Sequence, residues 1–188
     1  MSRWEPNALE RLQKAAYELY TERGYDQTTV AEIAARAGLT ERTFFRHFAD
    51  KREVLFGGSD ALRELLEAAV TAAPPSTTPI DAVANALIAA SSLFHNRGRQ
   101  VQQRHAVINA NSELQERELI KLASLASAMA DALRARGVGD TAATLTADAG
   151  IAVFRIAFER WVAGKTKADL ATLIQESLDE LKQVTAGA

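Results

Sequence analysis

The chain has 188 residues, 47% hydrophobic and 24% charged, an ordinary globular make-up for one domain or two small ones. Its net charge of −2 rules out a global positive field, so any nucleic acid must be met by a local basic face, and the lack of cysteine excludes disulfides and thiolate metal sites. Met1 to Arg11 has no apolar h-region and no uncharged apolar stretch is long enough to cross a bilayer, so no signal peptide or membrane partner is expected and a cytoplasmic location is the default.

The elements all read at helical period, which makes the class all-α. The first helix is expected over Ala8 to Arg23, with Leu9, Leu12, Ala16 and Leu19 on one face and Gly24 as its stop. Thr29 and Glu32 have capping-box spacing and open a short second helix, whose Val30, Ile33, Ala34 and Ala37 share a face. Gly38 breaks it. Thr40 is the expected N-cap of a third helix ending near Phe48. Asp50 and Glu53 repeat the capping spacing and launch a fourth helix, expected to reach Ala72 with Leu62, Leu65, Leu66 and Ala69 inward. Gly57 and Gly58 lie inside it, each at a cost of roughly 1 kcal/mol relative to alanine. Two readings of that pair stand: close packing against a neighbour, or a soft joint. Ala73 to Pro79 is the clearest linker. Beyond it come helices over about 80–94, 100–109, 112–136, 141–163 and 167–184, about nine in all. On the 112–136 helix Leu119, Leu122, Ala126, Met129 and Leu133 share a side. This layout predicts a domain over 1–55 and a helical body over 56–188.

Three short helices joined by tight turns have the dimensions of a helix-turn-helix unit, whose second motif helix enters the major groove of DNA. Over Thr40 to Phe48, Phe44 and Phe48 are four apart and can anchor the helix, leaving Glu41, Arg42, Thr43, Arg46 and His47 to face outward. Arginine matches the guanine edge and a carboxylate can accept from cytosine N4. Glu41 has a second reading, as a partner for Arg42 or the helix N-terminus. Lys51, at the start of the next helix, can meet a phosphate through its amide and its charge.

The run from Tyr25 to Gly38, continuing through Leu39 to Phe48 and Lys51, resembles the N-terminal domain of the TetR family of bacterial regulators. The resemblance is long and ungapped over roughly the first 55 residues; beyond them it is one of layout. It implies a homodimer, an inverted-repeat operator in double-stranded DNA, and repression relieved by a small molecule. Carried over, it makes Thr29 the cap and a phosphate contact, places Thr40, Glu41, Arg42 and Thr43 on operator-reading positions, and places His47 and Lys51 on phosphate-contacting ones. Phe45 departs from the family's usual tyrosine. Without the hydroxyl only ring packing, on a sugar or a thymine methyl, remains. Arg3 has two readings, a groove-tracking arm and a frayed terminus.

In the body, Ile151, Phe154, Phe158 and Trp161 fall on one helix face. They are core, or part of them lines a cavity for an apolar effector with Phe94, Met129, Arg104 and His105; pockets and cores share this composition. The apolar faces of the last two helices exceed what one small core needs, so Leu173, Ile174, Leu178 and Leu181 are candidates for a dimer interface, with internal core as the alternative. His47, His95 and His105 do not share a metal-ligand spacing, and there is no phosphate loop, nucleophile elbow or zinc-protease helix, so neither a metal, a cofactor nor an enzyme is expected. The rival reading is a helical carrier that does not bind DNA. It draws support from nine basic and nine acidic residues among the first 56, although Arg36, Arg42, Arg46, Lys51 and Arg52 cluster in the motif.

Overall fold

Side-chain caps set several of the helix starts. The Thr29 hydroxyl accepts from the Glu32 amide at 3.3 Å and the Glu32 carboxylate accepts from the Thr29 amide at 2.9 Å, a complete capping box. Thr40 accepts from Thr43 N at 3.2 Å, Thr78 from Asp81 N at 3.3 Å, and Asp169 from Thr172 N at 2.8 Å. The structure, a computed structural model, describes residues 8–95, 97–164 and 167–187. Arg3 lies outside them.

Among the described residues every regular element is helical. They are α1 (Ala8–Arg23), α2 (Val30–Arg36), α3 (Glu41–His47), α4 (Glu53–Phe56), α5 (Ser59–Ala72), α6 (Pro79–Ala90), α7 (Gly98–Asn109), α8 (Ser112–Ala135), α9 (Asp140–Val162) and α10 (Leu170–Thr185). The expected fourth helix is divided in two. Gly57 ends α4, and a Cβ there would lie 3.2 Å from Phe48 and Gln13 side-chain atoms, a tight approach to α1 and the end of α3. The expected 80–94 helix also stops early, at Ala90, and tightens into a 3₁₀ turn over Ser91–Phe94, where the Ser91 hydroxyl donates to Ile88 O at 2.7 Å.

The chain forms two units. The first is Met1–Gly58 with Arg99–Glu118. Its core holds Leu12, Ala16, Leu19, Ile33, Phe44, Phe48, Val54 and Phe56, joined by Val107, Ile108 and Leu114 from the distant segment. Leu9, expected inward, is 39% exposed. The division differs from the expected 1–55 and 56–188. The reason is Arg99–Glu118, whose apolar side chains complete the first core at roughly 1.5–3 kcal/mol for each fully buried large residue.

The second unit is Ser59–Gly98 with Leu119–Ala188. Here α6 packs against α5, α9 and α10. Leu66, Val70, Val83, Leu87, Met129, Leu133, Ala147, Leu173 and Ile174 fill the core. A Cβ at Gly150 of α9 would overlap the Val83 side chain, so this glycine sets how closely α6 and α9 approach. Arg136 donates to the carbonyls of Val70, Ala73 and Pro74 and fixes the 73–79 linker. By length and composition α9 could cross a membrane, but its Ala143, Ala147, Gly150, Val153, Phe154 and Ala157 are buried in this core. Leu119, expected inward, is 60% exposed.

Candidate nucleic-acid interface

The site grows from α3 and the turn before it. Gly38 holds φ +65°, a left-handed conformation that favours glycine, so α2 can turn within two residues into the Thr40 cap. Arg11 Nη2 braces the turn, donating to Ala37 O at 2.5 Å. Phe44 and Phe48 are buried with ring centroids 5.4 Å apart and pin α3 to the core. As expected from their spacing, Glu41, Arg42, Arg46 and His47 are exposed on the other side; Thr43, expected to join them, is half-buried, and Phe45 is exposed as well. The hydroxyls of Thr40 and Thr43 bond to each other at 3.1 Å.

Most basic side chains of this unit are already committed. Arg23 pairs with Glu32 at 2.6 Å, Arg36 with Glu22 at 2.9 Å, and Arg52 with Asp50 at 2.6 Å. The hydrogen bond from Arg36 lowers the Glu22 pKa. Burial opposes ionisation of Asp50. Hydrogen bonds from the Arg52 side chain and from the Glu53 and Arg52 amides outweigh it and hold the carboxyl below its ordinary range. Arg42 and Arg46, like Arg99, are exceptions: among the described residues none of them has an ion pair or hydrogen bond. Two guanidiniums with their donors free stand on the exposed face of one short helix, a step apart at i, i+4.

Lys51 requires a correction. Its ammonium was expected to meet a phosphate, but it donates to the carbonyls of Tyr25 at 2.9 Å and Thr28 at 3.0 Å, with Asp26 O at 3.5 Å, and sits 4.2 Å from the Tyr25 ring centroid. All three donors are engaged. The side chain clasps the loop that leads into α2, and Tyr20 adds a bond from its hydroxyl to Lys51 O at 2.7 Å.

Sequence reasoning missed a second set of contacts in the same unit. Arg104 donates to Leu55 O at 2.6 Å and to Glu118 at 2.9 Å, and its guanidinium lies 5.1 Å from the Phe56 ring centroid. Arg52 reaches Glu113, Arg117 reaches Glu53, both at 2.6 Å, and Asn111 reaches Asp26 at 3.2 Å. Apart from Arg104 with Glu118, these pairs lie more than forty positions apart, and no local pattern announces them. Two of the five guanidinium donors of Arg104 are thereby engaged within the first unit, apart from the other pocket candidates. His105 bonds Asn109 at 2.8 Å within α7.

The other pocket candidates lie in the second unit. Met129 and Phe154 are buried in its core, while Phe94, Phe158 and Trp161 are half-buried. Phe94 gathers Phe154, Phe158 and Trp161 at centroid distances of 6.4, 5.9 and 6.3 Å. The dimer candidates also require correction. Leu173, Ile174 and Leu178 are buried by the chain's own core, so their apolar surface is already used, while Leu181 packs against that core half-buried.

Comparison with known proteins extends these observations. Residues 12–56 match the family described as bacterial regulatory proteins, tetR family, and residues 77–186 match the MftR C-terminal domain. The HTH-type transcriptional regulator TcmR of Streptomyces glaucescens is 39% identical over 77 residues, covering 41% of this chain and 34% of that protein, so the match spans about a third of the relative. SmeT, solved in complex with triclosan, superposes with a TM-score of 0.66 at 20% identity over 94% of this chain and 90% of that one. SmeT is the repressor of the Stenotrophomonas maltophilia multidrug efflux pump SmeDEF. FadR of Bacillus subtilis, in complex with stearoyl-CoA, gives a TM-score of 0.59 at 21% identity over 90% and 95% of the two chains. At these identities the two solved structures share the fold.

Proposed function

The chain belongs to the TetR family of bacterial transcriptional regulators, and from that premise we propose that it is a cytoplasmic repressor released from an inverted-repeat operator by a small apolar ligand. The observation that carries the DNA-binding part is the pair Arg42 and Arg46. They meet DNA without first breaking an ion pair, so their full charge and donor geometry are available to guanine edges or phosphates. Thr40, Glu41 and Thr43 complete the base-reading face. Thr29 and His47 flank it as phosphate contacts, and Lys51 contributes its amide while its side chain holds the loop.

As a dimer, the protein would place two copies of α3 in successive major grooves, with half-sites roughly 34–36 Å apart or somewhat more. We place the dimer face on the outward strip of α9. Leu145 is 64% and Ile156 49% exposed there, with Ala149 and Ala152 half-buried between them on the same helical face. Paired with its copy, that strip builds a four-helix bundle from α9 and α10. Phe94, Phe158 and Trp161 are the ligand contacts we propose in the body. Support for an apolar effector comes from triclosan, and from the apolar acyl chain of stearoyl-CoA, held by two proteins of this fold. A ligand acts only through its differential affinity for the DNA-bound and released conformations.

The test is titration of the purified protein against DNA from its own gene neighbourhood at several salt concentrations. Site-selective binding with a steep salt slope is expected. Arg42→Ala or Arg46→Ala should weaken specific binding by about 1–3 kcal/mol where the side chain reads a base. Weak binding, equal on all sequences, would overturn the proposal.

A further inference from the structure

Phe45 is the one aromatic side chain among the described residues that is both large and exposed: 55% of it is accessible, and it stands on α3 between the two free guanidiniums. Nothing in the packing of the first unit needs it there. Phe44 and Phe48 already anchor the helix, and both are buried. Its orientation is nonetheless defined. The ring meets Phe44 edge-on, with centroids 5.5 Å apart and planes at 83°.

A phenyl ring has no donor or acceptor, so it gains nothing from a phosphate or a polar base edge. Its gain comes from covering apolar surface. In the major groove the apolar group on a base is the C5 methyl of thymine, which apolar side chains contact directly. We propose that Phe45 selects a thymine in each operator half-site by packing its ring on that methyl group. The inference rests on the DNA-binding reading above and adds a base identity to it. Arg42 and Arg46 supply attraction and hydrogen bonds; Phe45 supplies discrimination that no charge provides.

The experiment uses the full chain. Its preferred site is first selected from a random DNA library. Each thymine of the selected half-sites is then replaced by deoxyuridine, which keeps every hydrogen bond and removes only the methyl. At one thymine position the wild-type protein should lose about fourfold in affinity per half-site, the worth of one buried methyl group, and about fifteenfold when both half-sites are changed. Phe45→Ala should bind the thymine and uracil sites equally. Phe45→Leu, which keeps an apolar contact, should retain part of the sensitivity, and circular dichroism would verify that both variants fold. Equal losses in wild type and Phe45→Ala, or no loss in wild type at any position, would overturn the inference while leaving a specific DNA-binding protein. Failure to select any site would overturn the DNA-binding reading, and the inference with it.

Discussion

The residues that were legible beforehand are those whose partners lie within one helical turn. Thr29 with Glu32 and Phe44 with Phe48 follow from spacing alone, and both appear as expected. Lys51 and Arg104 were read for their charge, and charge does not reveal which carbonyls a folded loop will present. Ser177 is a comparable case on an apolar face. It is 8% exposed, its hydroxyl has no hydrogen-bond partner among the described residues, and its neighbours on α10 are Leu173, Ile174 and Leu178. A buried hydroxyl without a partner costs roughly 1–3 kcal/mol. Ser177→Ala should therefore leave the melting temperature unchanged or raise it. A fall equivalent to more than about 1 kcal/mol would mean that the hydroxyl is bonded after all.

The elements were legible as periods and breaks, and they went astray where tertiary contact decides. Of the two readings of Gly57 and Gly58, close packing against a neighbour describes Gly57, which faces the Phe48 and Gln13 side chains where α4 ends. The two glycines should then behave differently. Gly58 has open space around it, so Gly58→Ala should be neutral or stabilising by up to about 1 kcal/mol, whereas Gly57→Ala must push Phe48 or Gln13 aside and should destabilise. Denaturant unfolding of the two single variants separates these outcomes. At the α6–α9 crossing, Gly150→Ala should cost roughly 1–3 kcal/mol, and Val83→Ala should recover part of it in the double variant. The start of α4 has a pH signature. The Asp50 carboxyl titrates below its ordinary value in the folded protein, so its stabilising contribution is present above about pH 4 and is lost as pH falls through the lowered value. Asp50→Asn should thus be destabilising at neutral pH, and the gap to wild type should narrow in acid.

At the level of the molecule, the all-α class and the head motif were legible because helical period and a compact motif are both properties of short windows. The oligomer face was not. Apolar periodicity on α10 marks burial without saying whether one chain or two provides it, and Leu173 and Ile174 turn out to be buried by one. The proposed face makes a prediction on assembly: Leu145→Glu and Ile156→Glu should shift the protein from dimer to monomer in sedimentation while leaving the helical signal intact. A dimer that survives both changes would place the interface elsewhere. The passage of the chain through the first unit has a different kind of consequence. That unit is drawn from two stretches separated by forty residues, with Val107, Ile108 and Leu114 seated in one core beside Leu12 and Phe44. A fragment ending at Gly58 would lack those three side chains together with the anchors of Arg104 and Arg117, and should melt well below the intact protein. Inheritance is constrained in the same way. A single crossover after residue 58 would hand the new body a head with part of its interior missing, so recombination that exchanges sensors between such regulators must carry the 99–118 segment along with the head, or re-evolve it.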